Sequence, residues 1–246
     1  MTLSRGSRAG DFECESRTRG TRLEDVTRHR LASALFAVGS LAFLWIALGR
    51  MFCGSGCALG SPAFALPLLG LAVLHGALAV GVWRGASWAR WMGIGVGFTW
   101  VLTTAMMFCA AGPLLWLLFL VHAPMPLLLA RPDRLPARTS ISLLLAGMAL
   151  PLALGLGLSE ATHLSISWAN VLATACVAVG AFGLARERTW GLLLVGGAGL
   201  IFFVGGLVDP VVAQRRWFEV SALVALPLLA AMVPFAEPIA AWLRRD

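Results

Sequence analysis

From Leu31 to Leu243 the chain passes through eight long apolar stretches separated by short breaks rich in arginine, glycine or proline. The stretches are 31–49, 63–83, 88–110, 113–130, 139–158, 164–184, 189–207 and 217–241. A helix rises about 1.5 Å per residue, so about 20 apolar residues cross the ~30 Å hydrocarbon layer of a bilayer. Backbone N–H and C=O groups find no water there and must be satisfied by a helix or a closed barrel. None of the stretches alternates with period two, as barrel strands do. The pattern predicts an all-α fold, a polytopic transmembrane helix bundle of eight spans.

The polar remainder is concentrated at the amino end. Residues 1–30 are rich in Arg, Ser, Thr and Gly and read as a disordered basic tail, followed by a transmembrane domain over 31–246. A cleaved leader is the competing reading, with Leu31–Gly49 as its apolar region and Ala47-Leu48-Gly49 as the processing site. Both that region and the resulting leader exceed the usual lengths.

Composition supports the class: 59% of residues are hydrophobic and 13% charged. The basic charge is all arginine, with no lysine, which excludes a retinal Schiff base. The net charge of +7 is not gathered on a soluble face with interleaved aromatics, so nucleic acid is not an expected partner. The arginines sit at span ends instead. If the amino end is cytoplasmic, the tail, the connections holding Arg84, Arg90, Arg131, Arg134, Arg138, Arg186 and Arg188, and Arg244 and Arg245 share that side. Arg50, Arg215 and Arg216 fall on the other. This positive-inside asymmetry places both termini in the cytoplasm. Trp83, Trp88, Trp91, Trp190 and Trp242 lie beside the cytoplasmic arginines, and Trp116, Trp168 and Trp217 near the opposite boundary, as interfacial anchors. The lysine-free, Arg-, Ala-, Gly- and Leu-rich usage points to a GC-rich bacterium and its inner membrane.

An internal repeat is suggested by one hairpin. Residues Gly81 to Trp88 align with Gly183 to Trp190 at an offset of 102, which also pairs Gly95 with Gly197 and Gly97 with Gly199. Residues 31–130 and 139–243 would then be parallel four-span halves. Glycines inside spans three and seven read as close helix contacts, since lipid provides little hydrophobic drive for helices to associate. A phosphate-binding loop is excluded because no strand precedes them. Pro67, Pro124, Pro126, Pro151, Pro227 and Pro234 should kink their spans.

Candidate chemistry is sparse, and no residue reads as catalytic. Met51-Phe52-Cys53-Gly54-Ser55-Gly56-Cys57 occupies the first exoplasmic loop, where Cys53 and Cys57 should form a disulfide in an oxidising compartment. A redox-active pair and a copper site are the alternatives. For the latter, Met51, Cys53, Cys57, Met106, Met107 and Cys109 would supply the thiolate and thioether ligands that select Cu(I). Ser55 lacks the Gly-x-Ser-x-Gly context of a hydrolase elbow and a facing histidine.

His75 and His122 are the ionisable side chains placed deep in the bilayer. Each precedes the end of its span by eight residues, so the two share a depth, as axial haem ligands or a proton-handling pair would. Gly76 and Ala77 beside His75 suit close helix contact better than walls around a macrocycle, and a carbonyl freed by Pro124 should occupy the His122 ring N–H, so no haem is expected. Ser167, Asn170 and Thr174 form a polar stripe on span six that should face the bundle.

No embedded Asp, Glu or Arg of the kind used by ion-coupled transporters is present. The leading expectation is therefore a non-enzymatic assembly, regulatory or accessory module, with lipid and other membrane proteins as partners and no cofactor. A small transporter or copper permease is the alternative. A membrane redox protein using Cys53/Cys57 or His75/His122 is the third.

Overall fold

A computed structural model describes residues 8–52, 65–106, 113–130, 135–160, 168–208 and 215–237. Among them all regular structure is helical: α1 (Arg8–Phe52), α2 (Ala65–Trp83), α3 (Ser87–Met106), α4 (Pro113–His122), α5 (Met125–Leu129), α6 (Ala137–Glu160), α7 (Trp168–Ala185), α8 (Thr189–Val208) and α9 (Arg215–Ala230). A 3-10 turn, Val233–Phe235, follows.

Three helical stretches, Val26–Phe52, Ala65–Trp83 and Ala137–Leu156, are long and apolar enough to cross a membrane. Shorter apolar segments run over Trp116–Leu129, Ala169–Ala185, Thr189–Gly205 and Ser221–Phe235. The outward surface carries large apolar side chains, including Trp45, Val73, Leu120, Leu127, Phe182 and Leu193. Water would penalise so broad an apolar surface, whereas lipid matches it. This is a helical membrane protein.

α6 is the hub. It packs against α2, α3, α7 and α9, while α1 lies along α2, α7 along α8, and α8 along α9. The α3–α6 crossing is made at glycine: a Cβ on Gly95 would overlap the Leu144 carbonyl, and one on Gly147 would lie 2.5 Å from the Met92 carbonyl oxygen. Only hydrogen at both positions permits that approach.

The helix bounds depart from the apolar runs where local chemistry intervenes. α1 includes the stretch from Arg8 to Arg30 that composition reads as a disordered tail. Straight-chain arginine and glutamate are good helix formers, and Arg28 pairs with Glu24 one turn away. Span four is divided into α4 and α5, because Pro124 has no N–H to continue the ladder.

The α2–α3 and α7–α8 hairpins close alike. After α2, the N–H of Gly85 bonds the Val82 carbonyl and that of Ala86 the Gly81 carbonyl, both at 2.9 Å, with Gly85 at φ 69°. After α7, Glu187 bonds Leu184 and Arg188 bonds Gly183, also at 2.9 Å, with Glu187 at φ 55°. Each closes its helix with a left-handed residue and a six-to-one bond.

Candidate functional site: a buried histidine pair

α1 turns one stripe inward: Ala32, Ser33, Phe36, Phe43 and Ala47 are all buried, at spacings that return to one helix face. Gly39 lies on that stripe, and its missing side chain lets the His75 ring approach: a Cβ there would stand 3.0 Å from His75 Cδ2 and 3.8 Å from His122 Cε1. α2 and α4 bring the two histidines to this point, and both are completely buried.

The rings meet directly. His75 Nε2 lies 2.9 Å from His122 Nε2, with ring planes 87° apart. The other nitrogen of each ring turns back along its own helix. His75 Nδ1 is 2.7 Å from the Leu71 carbonyl oxygen and His122 Nδ1 is 2.7 Å from the Leu118 carbonyl oxygen. Side chains on a helix lean toward its amino end, which puts the carbonyl four residues back within reach. A carbonyl can only accept, so each Nδ1 donates its hydrogen. The sequence suggests that a carbonyl freed by Pro124 occupies the His122 ring. The acceptor is instead Leu118, one turn before the ring and not the Leu120 carbonyl that a proline at 124 leaves unpaired.

Aromatic rings wall the pair. Phe36 stands 6.0 Å, centroid to centroid, from both imidazoles, Phe43 4.9 Å from His75, and Trp100 of α3 6.0 Å from His122. The acids whose side chains are described, Glu24, Glu187 and Glu237, are all exposed.

Five further hydroxyls tie neighbouring segments together, while buried Thr104 bonds back to Trp100 of its own helix. Ser33 donates to the Ala79 carbonyl and Ser40 to that of Ala72, both at 2.8 Å, joining α1 to α2. Thr99 donates to Met148 at 2.6 Å, joining α3 to α6. Ser142 donates to Ala231, just past α9, at 2.6 Å. Of the predicted stripe on span six, Thr174 faces inward and donates to Ala153 of α6 at 2.9 Å. Asn170 is half-buried, and Ser167 lies outside the described residues. Cys53, Cys57, Met107 and Cys109 also lie outside them, while Met51 and Met106 are exposed at the ends of α1 and α3. No cluster of three or more metal-ligating His, Cys, Asp or Glu occurs among the described residues.

A second feature is a cleft of about 530 Å³ between α2, α3, α6 and α7. It is lined by apolar side chains such as Val73, Leu74, Met92, Leu150 and Phe182, with Arg186 at one end.

Sequence reasoning identified both histidines from shared depth but missed the walls around them. The signal was present in α1 as Phe36-x-x-Gly39-x-x-x-Phe43, a helical stripe with a gap in its middle.

Fold and site together define a membrane helix bundle with a sealed histidine pair at one interior contact. No known protein family, curated protein or solved structure matches the chain.

Proposed function

We propose that this protein is a non-enzymatic membrane module, an accessory or regulatory subunit that works through contacts with lipid and other membrane proteins in a bacterial inner membrane. The observation that supports it best is the disposition of five hydroxyls, four of them buried: Ser33, Ser40, Thr99, Ser142 and Thr174 each close on a carbonyl of a neighbouring segment. Polar groups spent in this way hold helices together and line no polar passage. Reconstituted alone in vesicles, the protein is expected to pass neither protons nor copper, while in native membranes it migrates in a larger complex. Proton or copper flux from the purified protein would end this reading.

A small transporter is the second reading, favoured by the apolar cleft between α2, α3, α6 and α7. Parallel repeats, residues 31–130 and 139–243, would suit it. The copper version rests on Cys53, Cys57 and their sulfur neighbours. The same two cysteines are proposed to close the first exoplasmic loop as a disulfide.

Eight spans with both termini cytoplasmic complete the proposal. Reporter fusions after Pro62, Ala111, Glu160 and Val211 should report the exoplasmic side, and those after Gly85, Asp133 and Glu187 the cytoplasm. An exoplasmic carboxyl terminus would remove this topology.

A further inference from the structure

The histidine pair poses a counting problem. Three short contacts lie in line: Leu71 O to His75 Nδ1 at 2.7 Å, Nε2 to Nε2 at 2.9 Å, and His122 Nδ1 to Leu118 O at 2.7 Å. Each needs a hydrogen, because otherwise two lone pairs face each other at hydrogen-bonding distance. Two neutral imidazoles carry one N–H apiece. With both donated to carbonyls, the central contact has none. Moving one to Nε2 mends the centre and leaves a bare Nδ1 against a carbonyl oxygen. Two hydrogens cannot serve three contacts.

We propose that His75 and His122 form a binding site for a single proton, held between the two Nε2 atoms as a shared imidazolium–imidazole pair. Proton uptake adds one positive charge and breaks no covalent bond. Each Nδ1–H remains on its carbonyl, and the added proton completes the middle contact.

The surroundings suit a cation. A charge in the membrane interior is costly unless the protein supplies compensating groups. Here the compensation comes from the Leu71 and Leu118 carbonyl oxygens, whose bonds strengthen when the donor is charged. The aromatic wall of Phe36, Phe43 and Trp100 adds to it, since ring quadrupoles attract cations at about this range. Phe36, Gly39 and Phe43 come from α1 and Trp100 from α3, and none of these four is titratable or charged.

Other occupants fit less well. Iron or another first-row metal bonds imidazole nitrogen at about 2.0–2.1 Å, so two opposed ligands stand about 4 Å apart. The observed 2.9 Å leaves no place for a haem iron or a linear Cu(I). A metal held to one side would require further ligands, and no three-residue set exists among the described residues.

The proton has a mechanical consequence. His75 belongs to α2 and His122 to α4, so the proton links two helices. The linked form is present at low pH and is lost as pH rises through the pair's titration point. Without the proton, one of the three contacts must lengthen.

The test is ¹⁵N-histidine NMR of the full-length protein in phosphatidylcholine nanodiscs. As the pH is lowered, the number of the pair's four ring nitrogens that carry hydrogen should rise from two to three, with a through-bond coupling appearing between the Nε2 atoms. These signals should vanish in the His75→Val/His122→Val double variant. If that variant does not fold, the wild-type spectrum decides alone by its count of protonated nitrogens. Two protonated nitrogens at neutral pH and below would overturn the proposal. So would a stoichiometric Soret band or bound copper lost on mutating either histidine.

Discussion

Gly95→Leu is expected to leave little folded protein in the membrane. A side chain at this position drives into the Leu144 carbonyl, with the Met148 amide nitrogen only 2.8 Å from the first added carbon. Both obstacles are backbone of α6, which cannot rotate away as a side chain does. Relief requires α3 and α6 to separate, and with them goes the Thr99 bond to Met148. Since α6 is the hub, the damage extends to α2, α7 and α9. The cost should reach about 3 kcal/mol or more, the upper end for overpacking. Gly197→Leu is the matched control. It lies within α8 and faces nothing within 4 Å. Monodisperse yield and thermal unfolding of the two variants in detergent should differ sharply. Equal behaviour would show that the α3–α6 crossing is looser than described.

Phe36→Ala should be the most damaging truncation on α1. Phe36 is fully buried, contacts both histidines ring to ring, and fills the space over Gly93, where an added Cβ would lie 3.0 Å from its ring. In a soluble protein such a truncation costs about 3–5 kcal/mol, combining transfer from water with the cavity left behind. In a bilayer the unfolded reference is lipid, so much of the transfer part disappears and packing remains. About 2–3 kcal/mol is the expected loss. Phe203→Ala, at a site 38% exposed to lipid, should cost far less. Unfolding of both variants by denaturant in mixed micelles measures the difference. A negligible effect at Phe36 would mean that the aromatic wall collapses around the gap without penalty.

The helices were legible in the sequence because lipid imposes one demand over each span: long runs of apolar residues with satisfied backbones. α2, α6 and α8 begin and end within about two residues of the apolar runs. The departures follow from chemistry that hydropathy does not measure. Pro124 divides one run by removing an amide hydrogen, and charged residues ahead of Leu31 continue α1 because they favour helix in water. The site was half legible. An ionisable side chain inside an apolar run is conspicuous, and equal distance from the span ends placed His75 beside His122 in depth. Their rotation about each helix was hidden, as were Phe36, Phe43 and Trp100, because an aromatic residue in an apolar run looks the same whether it faces lipid or a partner. Gly39 marked the approach, but one gap among many glycines in the chain cannot be singled out before its neighbours are known.

The length of α1 gives the histidine site a mechanical reach. Forty-five residues make a rod of about 68 Å, more than twice the hydrocarbon thickness. Its apolar part starts at Val26, so about 27 Å of helix extends ahead of it. Phe36, Gly39 and Phe43 sit further along the same rod. A binding partner that tilts the amino end pivots these residues against the imidazoles, in the manner of a lever whose short arm ends at the proton.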